Sequence, residues 1–416
     1  MFRLGIWHWR HGFGSRFGFS SSAFRRGGCF GAGINAVFGF GSIVIGNGVT
    51  IQAGQMLDLR PGEVLTSGAA VDRVADPIDL ASPGGQGFAL SADEFSRLSA
   101  GTIVVGSNDH RGAIAVNGAL TSYDALTLQN GGAGSAGIQI NAPLQAPQLG
   151  LVSAGTVTQG ASGGITAGSV LARSTGGDVD LTHADNNAMA LGGSAAGRFA
   201  WVDRNDLMLA PVTVTGALGS VNVAQALGAN TLGADRVYVQ TLSQDLTLAL
   251  PLSSNSGADL VAANRFQNPG AGRIDGAPWR VWADTWVGES RGGVAGSGLR
   301  PNLYGCSYGG GCGVTISPDE NHFVYVQRPT ATVHIGDASR PVGEPNPPPA
   351  IILHRIPGRN FGAPGHVLAG AEDFELGEGA AVEFVPLPQR SGGDAHKSRR
   401  DIVGGNDDRL GARVGE

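Results

Sequence analysis

The sequence predicts an all-β protein built as a parallel β-helix, with a short capping region and a disordered carboxy-terminal tail. Short apolar pairs recur along the chain, as in Ile114 with Val116 and again in Ile138 with Ile140. Ile114 and Ile138 lie 24 residues apart, which is enough for one coil of two or three short strands. Glycine makes up 69 of the 416 residues and supplies the tight corners that such coils need. Stacked coils bury apolar pairs that a single coil leaves exposed.

Charge content and apolar runs restrict which classes of protein and partner the sequence fits. Only 15% of residues are charged and the formal net charge is −6, so a solvating disordered chain is not indicated. The middle of the chain has no dense arginine cluster, so we expect no nucleic-acid partner. No run of 18 strongly apolar residues occurs, so we expect no transmembrane segment.

Residues 1–40 form an atypical segment rich in arginine, phenylalanine and glycine, which we expect to be disordered. Five arginines and no acidic residue lie here. A secretory signal needs an unbroken apolar stretch after its basic start, and Arg10, Gly12, Gly14 and Arg16 interrupt this one. The pair at 25–26 resembles a twin-arginine signal only weakly. A start site upstream of the real domain, or a truncated gene, is the alternative favoured over an intact signal.

Residues 41–255 are predicted to be the β-helix repeats. Apolar doublets recur there about every 8–12 residues, with glycine, asparagine or aspartate between them, as expected for short strands and turns. Strands of three to five residues are short for a sandwich. Ser91 and Glu94 form a capping box, which predicts one or two helical turns ending near Gly101.

Residues 256–340 differ from the repeats and are predicted to be terminal coils that cap the stack. They contain Trp279, Trp282 and Trp286, whose large rings can cover an open end; a ligand platform is the alternative. Residues 341–349 form a proline-rich linker. Residues 350–416 are predicted to be irregular and largely disordered.

Three cysteines permit at most one disulfide. Cys306 and Cys312 flank the sequence SYGGG and can close a small loop in an oxidising compartment, whereas Cys29 stands alone. Two unpaired thiols are the alternative to this disulfide. As a zinc site the pair lacks two ligands.

Three motif matches are attributed to chance. Ser162 and Ser307 each lie in a G-x-S-x-G sequence, but neither is flanked by the apolar strand and helix of a hydrolase elbow. Residues 132–137, GAGSAG, fit a dinucleotide-binding pattern without the helix that should follow, so a β-turn is predicted.

Two groups of acidic residues are candidate sites. The segment DVDLTHADNN could attract a cation, although a strand followed by a solvated corner is the commoner structure. Its candidate ligands are Asp178, Asp180, His183 and Asp185. Asp203 and Asp206 are a loose candidate pair for glycoside hydrolysis on a β-helix. Neither group rises above background, so no catalytic, cofactor-binding or metal residue and no cofactor is predicted, and the protein is expected not to be an enzyme.

Four segments carry a resemblance to a known family. They are FALSADEFSRLSAGTIVVG (88–106), STGGDVDLTHADNNAMALGGSAAGRFAWVD (174–203), LVAANRFQNPGAGRIDGAPWRVWADTW (260–286) and NHFVYVQRPTATVHIGDASRPVGEPNP (321–347). Their order resembles that in filamentous-haemagglutinin-type exoproteins of Gram-negative two-partner secretion systems, over residues 41–347.

The resemblance implies a right-handed parallel β-helix that acts as a non-catalytic adhesin in cell adhesion or biofilm formation. It further implies an outer-membrane two-partner-secretion transporter as one partner and a host or bacterial surface glycan or protein as another. The implied location is extracellular or at the cell surface. The family's amino-terminal secretion domain and its Asn-Pro-Asn-type motif are not found, and the resemblance ends after Pro349, so the chain is interpreted as the carboxy-terminal part of such an exoprotein. A polysaccharide-active β-helical enzyme and a non-exported gene remnant are the alternatives.

Overall fold

The structure is a computed structural model, and strands dominate it. It describes residues 36–39, 45, 48–64, 70–82, 88–219, 223–270, 272–276, 278–335, 351–354 and 381–384. Of the described residues, about half are in strands and 2% are helical. Parallel coils stack into a β-solenoid of about 10 turns. The predicted all-β parallel β-helix is therefore confirmed.

The elements follow one another closely along the chain. The first are β1 (Ala36–Gly39), β2 (Ile51–Gln52), β3 (Met56–Arg60), β4 (Gly62–Val64), β5 (Ala70–Asp72), β6 (Ile78–Leu80), β7 (Phe88–Leu90), α1 (Ala92–Phe95), β8 (Leu98–Ser99), β9 (Thr102–Ser107), β10 (Ile114–Val116), β11 (Leu120–Thr121) and β12 (Ala125–Asn130). The middle strands are β13 (Ile138–Ile140), β14 (Leu144–Ser153), β15 (Val157–Gln159), β16 (Ile165–Ser174), β17 (Val179–Leu181), β18 (Asn187–Ser194), β19 (Arg198–Asp203), β20 (Leu207–Leu209), β21 (Val212–Leu218), β22 (Val223–Ala229), β23 (Leu232–Ala234) and β24 (Arg236–Thr241). The last are β25 (Leu246–Leu248), β26 (Pro251–Ser254), β27 (Ala258–Val261), β28 (Phe266–Gln267), β29 (Arg273–Asp275), β30 (Trp279–Ala283), β31 (Asn302–Tyr304), β32 (His322–Tyr325), β33 (Thr330–Ile335), β34 (Ile351–His354) and β35 (Ala381–Phe384).

Two long parallel sheets form the walls of the solenoid. Sheet A follows the order β1-β3-β9-β12-β14-β16-β18-β20-β25-β28, with β11, β23, β26 and β29 as side branches. Sheet B follows the order β31-β32-β30-β27-β24-β19-β17-β15-β13-β10-β6-β7. From β9 to β28 the chain alternates between the sheets, so each of these coils adds one strand to each wall. At the two ends, β6 and β7, and likewise β30, β31 and β32, follow one another within sheet B.

The strand register places like residues above one another, as the repeated phrases predict. One inward row of sheet B consists of Ile78, Ile114, Ile138, Val157, Val179, Phe199, Val237, Ala258 and Trp279. Every member is at most 3% exposed. Burying each large apolar side chain contributes about 1.5–3 kcal/mol, and the rows together form one continuous core.

A third, narrower face joins the two walls in the middle coils. The strands β14 and β16 have ten residues each, which is long enough to cover two faces. Their first residues, 144–146 and 165–167, pair with each other, and β11 pairs with the start of β14. We call the surface of β11 and these two half-strands the side face.

An antiparallel hairpin interrupts the coils within residues 41–255, the predicted β-helix repeats. Strands β21 and β22 pair from Val212 with Ala229 to Leu218 with Val223. The hairpin lies on the outer surface of sheet A, where Val212 and Val214 pack against Val152. Alternating apolar residues occur equally in hairpin strands and in coil strands, so the sequence pattern did not distinguish the two.

Side chains of sheet A hold the backbone of β21 in place. The Thr127 hydroxyl donates to the Thr215 carbonyl over 2.7 Å. The Ala217 amide donates to the Gln129 side-chain oxygen over 2.8 Å. Gly150 leaves the room that docking needs, because a Cβ there would lie 2.8 Å from Val214 Cγ2. Hydrogen bonds and close packing therefore fix the hairpin across several coils.

Helix α1 confirms the capping box at Ser91, but it ends at Phe95 rather than near Gly101, because β8 begins at Leu98. The Ser91 hydroxyl accepts from the Glu94 amide over 3.2 Å, and the Glu94 carboxylate accepts from the Ser91 amide over 2.9 Å. Phe95 is buried, so the short helix closes over the core.

The chain ends are described only in part. Most of residues 1–40, all of the 341–349 linker and most of the 350–416 tail lie outside the described residues. Within the segment expected to be disordered, β34 and β35 are formed and both pair with β33. Partners distant in sequence supply their hydrogen bonds, and the expectation that residues 350–416 are largely irregular stays a prediction.

Candidate functional site

Asp203, one of the two loosely paired candidates, is a buried structural group. Its carboxylate accepts hydrogen bonds from the Ala188 amide at 2.9 Å, the Trp201 indole at 3.1 Å and the Asn205 amide at 3.1 Å. Burial raises the pKa of this carboxyl, whereas these hydrogen bonds lower it. Asp206 accepts instead from the Asp245 amide over 2.9 Å. The two carboxylates thus hold different parts of the backbone.

The DVDLTHADNN group forms a strand and a hydrogen-bonded corner. Asp178 accepts from the Arg198 amide over 2.7 Å, and Asp180 lies 3.3 Å from the Arg198 guanidinium. His183 Nδ1 accepts from the Asp185 amide over 3.1 Å, so its Nε2 carries the proton for the Ala161 carbonyl at 3.0 Å. Local backbone groups occupy both imidazole nitrogens. Across the part of the chain that the structure describes, no group of three His, Cys, Asp or Glu side chains is arranged to hold a metal ion.

The remaining motif matches lie in turns. Ser162 is exposed in the turn between β15 and β16. Ser307 lies in the loop closed by Cys306 and Cys312, where its carbonyl accepts from the Gly310 amide. Residues 132–137 form the predicted turn, in which Gly134 and Gly137 have φ values of +74° and +95°. None of these segments leads into a helix, the only described helix being α1.

The disulfide, which the sequence favoured over two free thiols, is formed. Cys306 and Cys312 are joined with their Cα atoms 4.2 Å apart. The loop between them folds over the outer surface of sheet B. There Tyr308 stacks on Tyr238 at 5.7 Å between ring centroids and meets Trp282 edge-on at 5.4 Å. The disulfide therefore holds an aromatic cluster against the strands.

Charged groups border this aromatic cluster. Asp259 lies 3.2 Å from the Arg236 guanidinium and accepts from the Trp282 indole, also over 3.2 Å. Burial, with smaller contributions that include Tyr308 and Asp259, raises the pKa of Tyr238 to about 12. The aromatic rings of the cluster thus contact one another, and the charged groups beside it are paired with each other or hydrogen-bonded to the rings.

The three tryptophans have separate surroundings. Trp279 is in the core and packs edge-on against Phe323 with centroids 5.2 Å apart. Trp286 packs edge-on against Tyr304 at 5.1 Å and Tyr325 at 5.7 Å, beside the last strands of sheet B. These contacts engage both rings in packing; that the tryptophans cap the end of the stack stays a prediction.

Asn186 is a structural residue that no sequence motif indicates. Its side chain is fully buried at a coil corner. The oxygen accepts from the Ile165 amide over 3.0 Å, and the nitrogen donates to the Leu181 carbonyl at 3.0 Å and the Val202 carbonyl at 3.1 Å. The side chain thus joins three successive coils. The paired asparagines in ADNN were the only sequence signal.

His110 is a buried titratable group outside the predicted sites. It lies in the turn after β9 and is 1% exposed. Burial lowers its pKa to about 4, against the opposing charges of Asp109 and Asp76. Its Nε2 has no hydrogen-bond partner among the described residues. The folded state therefore holds this imidazole neutral near pH 7.

Comparison with known proteins does not assign the chain to a family. No family model, curated protein or solved structure matches the chain. In the described residues, no helix has the length and apolar character needed to cross a bilayer. The resemblance to haemagglutinin-type exoproteins stays a prediction.

Proposed function

We propose that the chain is a non-catalytic β-solenoid segment of a bacterial adhesin, exposed at the cell surface or secreted, which acts in adhesion or biofilm formation. The observation that supports this is the stack itself. With about 10 turns at about 4.8 Å per strand, it forms a stiff body about 50 Å long. A continuous core fixes its outward rows, so binding can be spread along a face rather than concentrated in one site.

The disulfide supports the proposed location. Disulfides persist in oxidising compartments and are rare in the cytosol. The Cys306–Cys312 bridge holds the aromatic cluster on sheet B, so the native packing depends on a bond that export would preserve. This agrees with delivery through an outer-membrane transporter and with a glycan or protein partner on another surface.

Two carboxylates in one row of sheet B do not have the spacing of a glycoside-hydrolase pair. Asp180 and Asp259 lie in the same outward row of sheet B, with Ala200 and Tyr238 between them. Three strand spacings separate them by about 14 Å. Paired carboxylates in glycoside hydrolases lie about 5–9.5 Å apart. Each of the two is also engaged by an arginine.

The first test is location in the native organism. An antibody raised against residues 41–335 should detect the protein at the cell surface or in the medium, with a cytosolic enzyme as the fractionation control. A cytosolic signal, or none, would contradict the proposal and favour a non-exported remnant.

A second test addresses binding directly. Beads coated with the full chain should adhere to biofilms of the native organism or to host cells more than albumin-coated beads do. Substituting Asp180, Asp259 or His183 one at a time should leave adhesion nearly unchanged. Loss of all adhesion from a single carboxylate change, or release of reducing ends from a polysaccharide panel, would contradict the non-catalytic proposal.

A further inference from the structure

A shallow groove crosses the side face in the middle coils. Its volume is about 320 Å³. Strands β11, β14 and β16 contribute to its lining, so the groove crosses three successive coils. The lining residues are Thr121, Ser122, Tyr123, Gln145, Ala146, Pro147, Thr166, Ala167 and Gly168. The groove therefore runs from coil to coil, parallel to the solenoid axis.

The floor of the groove carries one row of short polar side chains. Thr121 pairs in register with Gln145, and Gln145 pairs with Thr166. All three are exposed. Neighbouring strands lie about 4.8 Å apart, so one hydroxyl or amide recurs at each step along the axis. An extended polymer that follows this axis can meet one hydrogen-bonding group per coil.

A solvent-exposed aromatic ring stands at one end of the groove. Tyr123 is 84% exposed, although a tyrosine ring loses more by facing water than a polar side chain does. Further along the same edge lie Pro147 and Gly168, both exposed. A Cβ at residue 168 would lie 2.8 Å from the Pro147 carbonyl oxygen, so glycine at this position lets the two strands approach closely beside the groove. The ring face of Tyr123 is thus available to a ligand lying in the groove.

The chemistry of the lining selects a class of ligand. None of the nine lining residues is charged, so a polyanion such as a nucleic acid finds no ion pair here. Nearby Asp124 is engaged, since its carboxylate accepts from the Ala100 amide over 2.9 Å. A neutral sugar chain presents hydroxyls to the polar row and apolar C–H faces to an aromatic ring.

We propose that this groove binds an extended neutral glycan, with Tyr123 stacking on one sugar ring and Gln145 and Thr166 hydrogen-bonding to the next ones. The proposal deepens the adhesin function proposed above by naming the ligand class and the face that binds it. Because the polar groups are solvated, each contact is weak. Strong adhesion then arises from many copies on one surface.

The test measures binding of the full chain to cellohexaose, xylohexaose and chitohexaose by isothermal titration calorimetry, with a heparin-derived hexasaccharide as the anionic comparison. We expect at least one neutral hexasaccharide to bind more tightly than its disaccharide, because the groove crosses three coils. Tyr123→Ala should weaken that binding about tenfold, whereas Tyr123→Phe, which retains the ring face, should stay close to wild type. Gln145→Ala should weaken it by a smaller factor.

The matched control is Leu299→Ala, since Leu299 is 91% exposed and lies in the distant segment between β30 and β31. Unchanged circular dichroism of each variant separates loss of binding from loss of folding. Absence of binding by all three neutral hexasaccharides, equal binding by Tyr123→Ala, or preference for the heparin fragment would overturn the proposal. Self-association through this face, abolished by Tyr123→Ala without any sugar binding, would also overturn it.

The bead assay distinguishes this proposal from the adhesin function. Wild-type and Tyr123→Ala beads that adhere equally would overturn the groove and leave the adhesin function standing. Beads that do not adhere, combined with hexasaccharide binding that Tyr123→Ala abolishes, would support the groove and overturn the adhesin function.

Discussion

Replacement of Asn186 by alanine should loosen three coils at once. Its buried side chain satisfies the Ile165 amide and the carbonyls of Leu181 and Val202, which belong to successive coils. Its oxygen also accepts from the side-chain nitrogen of Gln159 over 2.7 Å, and its nitrogen donates to the side-chain oxygen of Gln159 over 3.2 Å. Asn186→Ala removes all five hydrogen bonds and puts no polar group in their place.

The magnitude follows from the groups left behind. Each buried polar group without a partner costs about 1–3 kcal/mol. Three backbone groups and one side-chain amide lose a partner, and water entering the vacated space recovers part of the loss. We therefore expect a local destabilisation of about 3–5 kcal/mol, at the upper end for single substitutions.

Hydrogen exchange is the suitable assay, because solenoid coils respond locally rather than as one two-state unit. The Leu144 amide, which donates to the Gly164 carbonyl over 2.9 Å, reports on the neighbouring coil without contacting Asn186 itself. A loss of about 3 kcal/mol lowers its protection roughly hundredfold. The control is Asn187→Ala, the next residue in the chain, which is half-buried and should change protection little. Equal effects of the two substitutions would refute the corner-network argument.

Three further predictions concern the hairpin, the buried histidine and the disulfide loop. Val214→Asp should detach the hairpin at a cost of at least about 3 kcal/mol, because it buries an unpaired charge. Limited proteolysis should then cleave the chain within 212–229 while the coils stay intact. The control Thr213→Asp, at an exposed position, should not be cleaved there, and equal protection of the two variants would contradict the packing. Because burial lowers the pKa of His110 from 6.5 to about 4, the unfolded chain binds the proton first and the free energy of unfolding should fall as the pH drops from 6.5 to 4. Thermal unfolding across this pH range should show a loss of up to about 3 kcal/mol, which His110→Gln should remove. A pH dependence unchanged in that variant would count against this account. Cys312→Ser should free Tyr308 from the aromatic cluster, so tyrosine-selective labelling of Tyr308 should become faster, and labelling at the wild-type rate would show that the disulfide does not hold the loop.

The fold was predictable because its cause is local and repeated. Apolar pairs such as Ile114 with Val116 specify inward positions, and the 24-residue interval specifies which pairs stack. Glycine and asparagine mark the corners. The capping box at Ser91 and the loop disulfide were likewise visible, because each depends on residues close together in sequence.

The side-face groove and the hairpin position were decided only by tertiary structure. The row of Thr121, Gln145 and Thr166 joins residues more than 20 positions apart, and a change of coil length by one residue would bring other side chains into line. The docking of Val214 depends on Gly150, far from it in sequence. Sequence periodicity determined that coils stack, because burial of apolar rows requires it. Which outward side chains meet was set by the strand register and by how the chain crosses between coils.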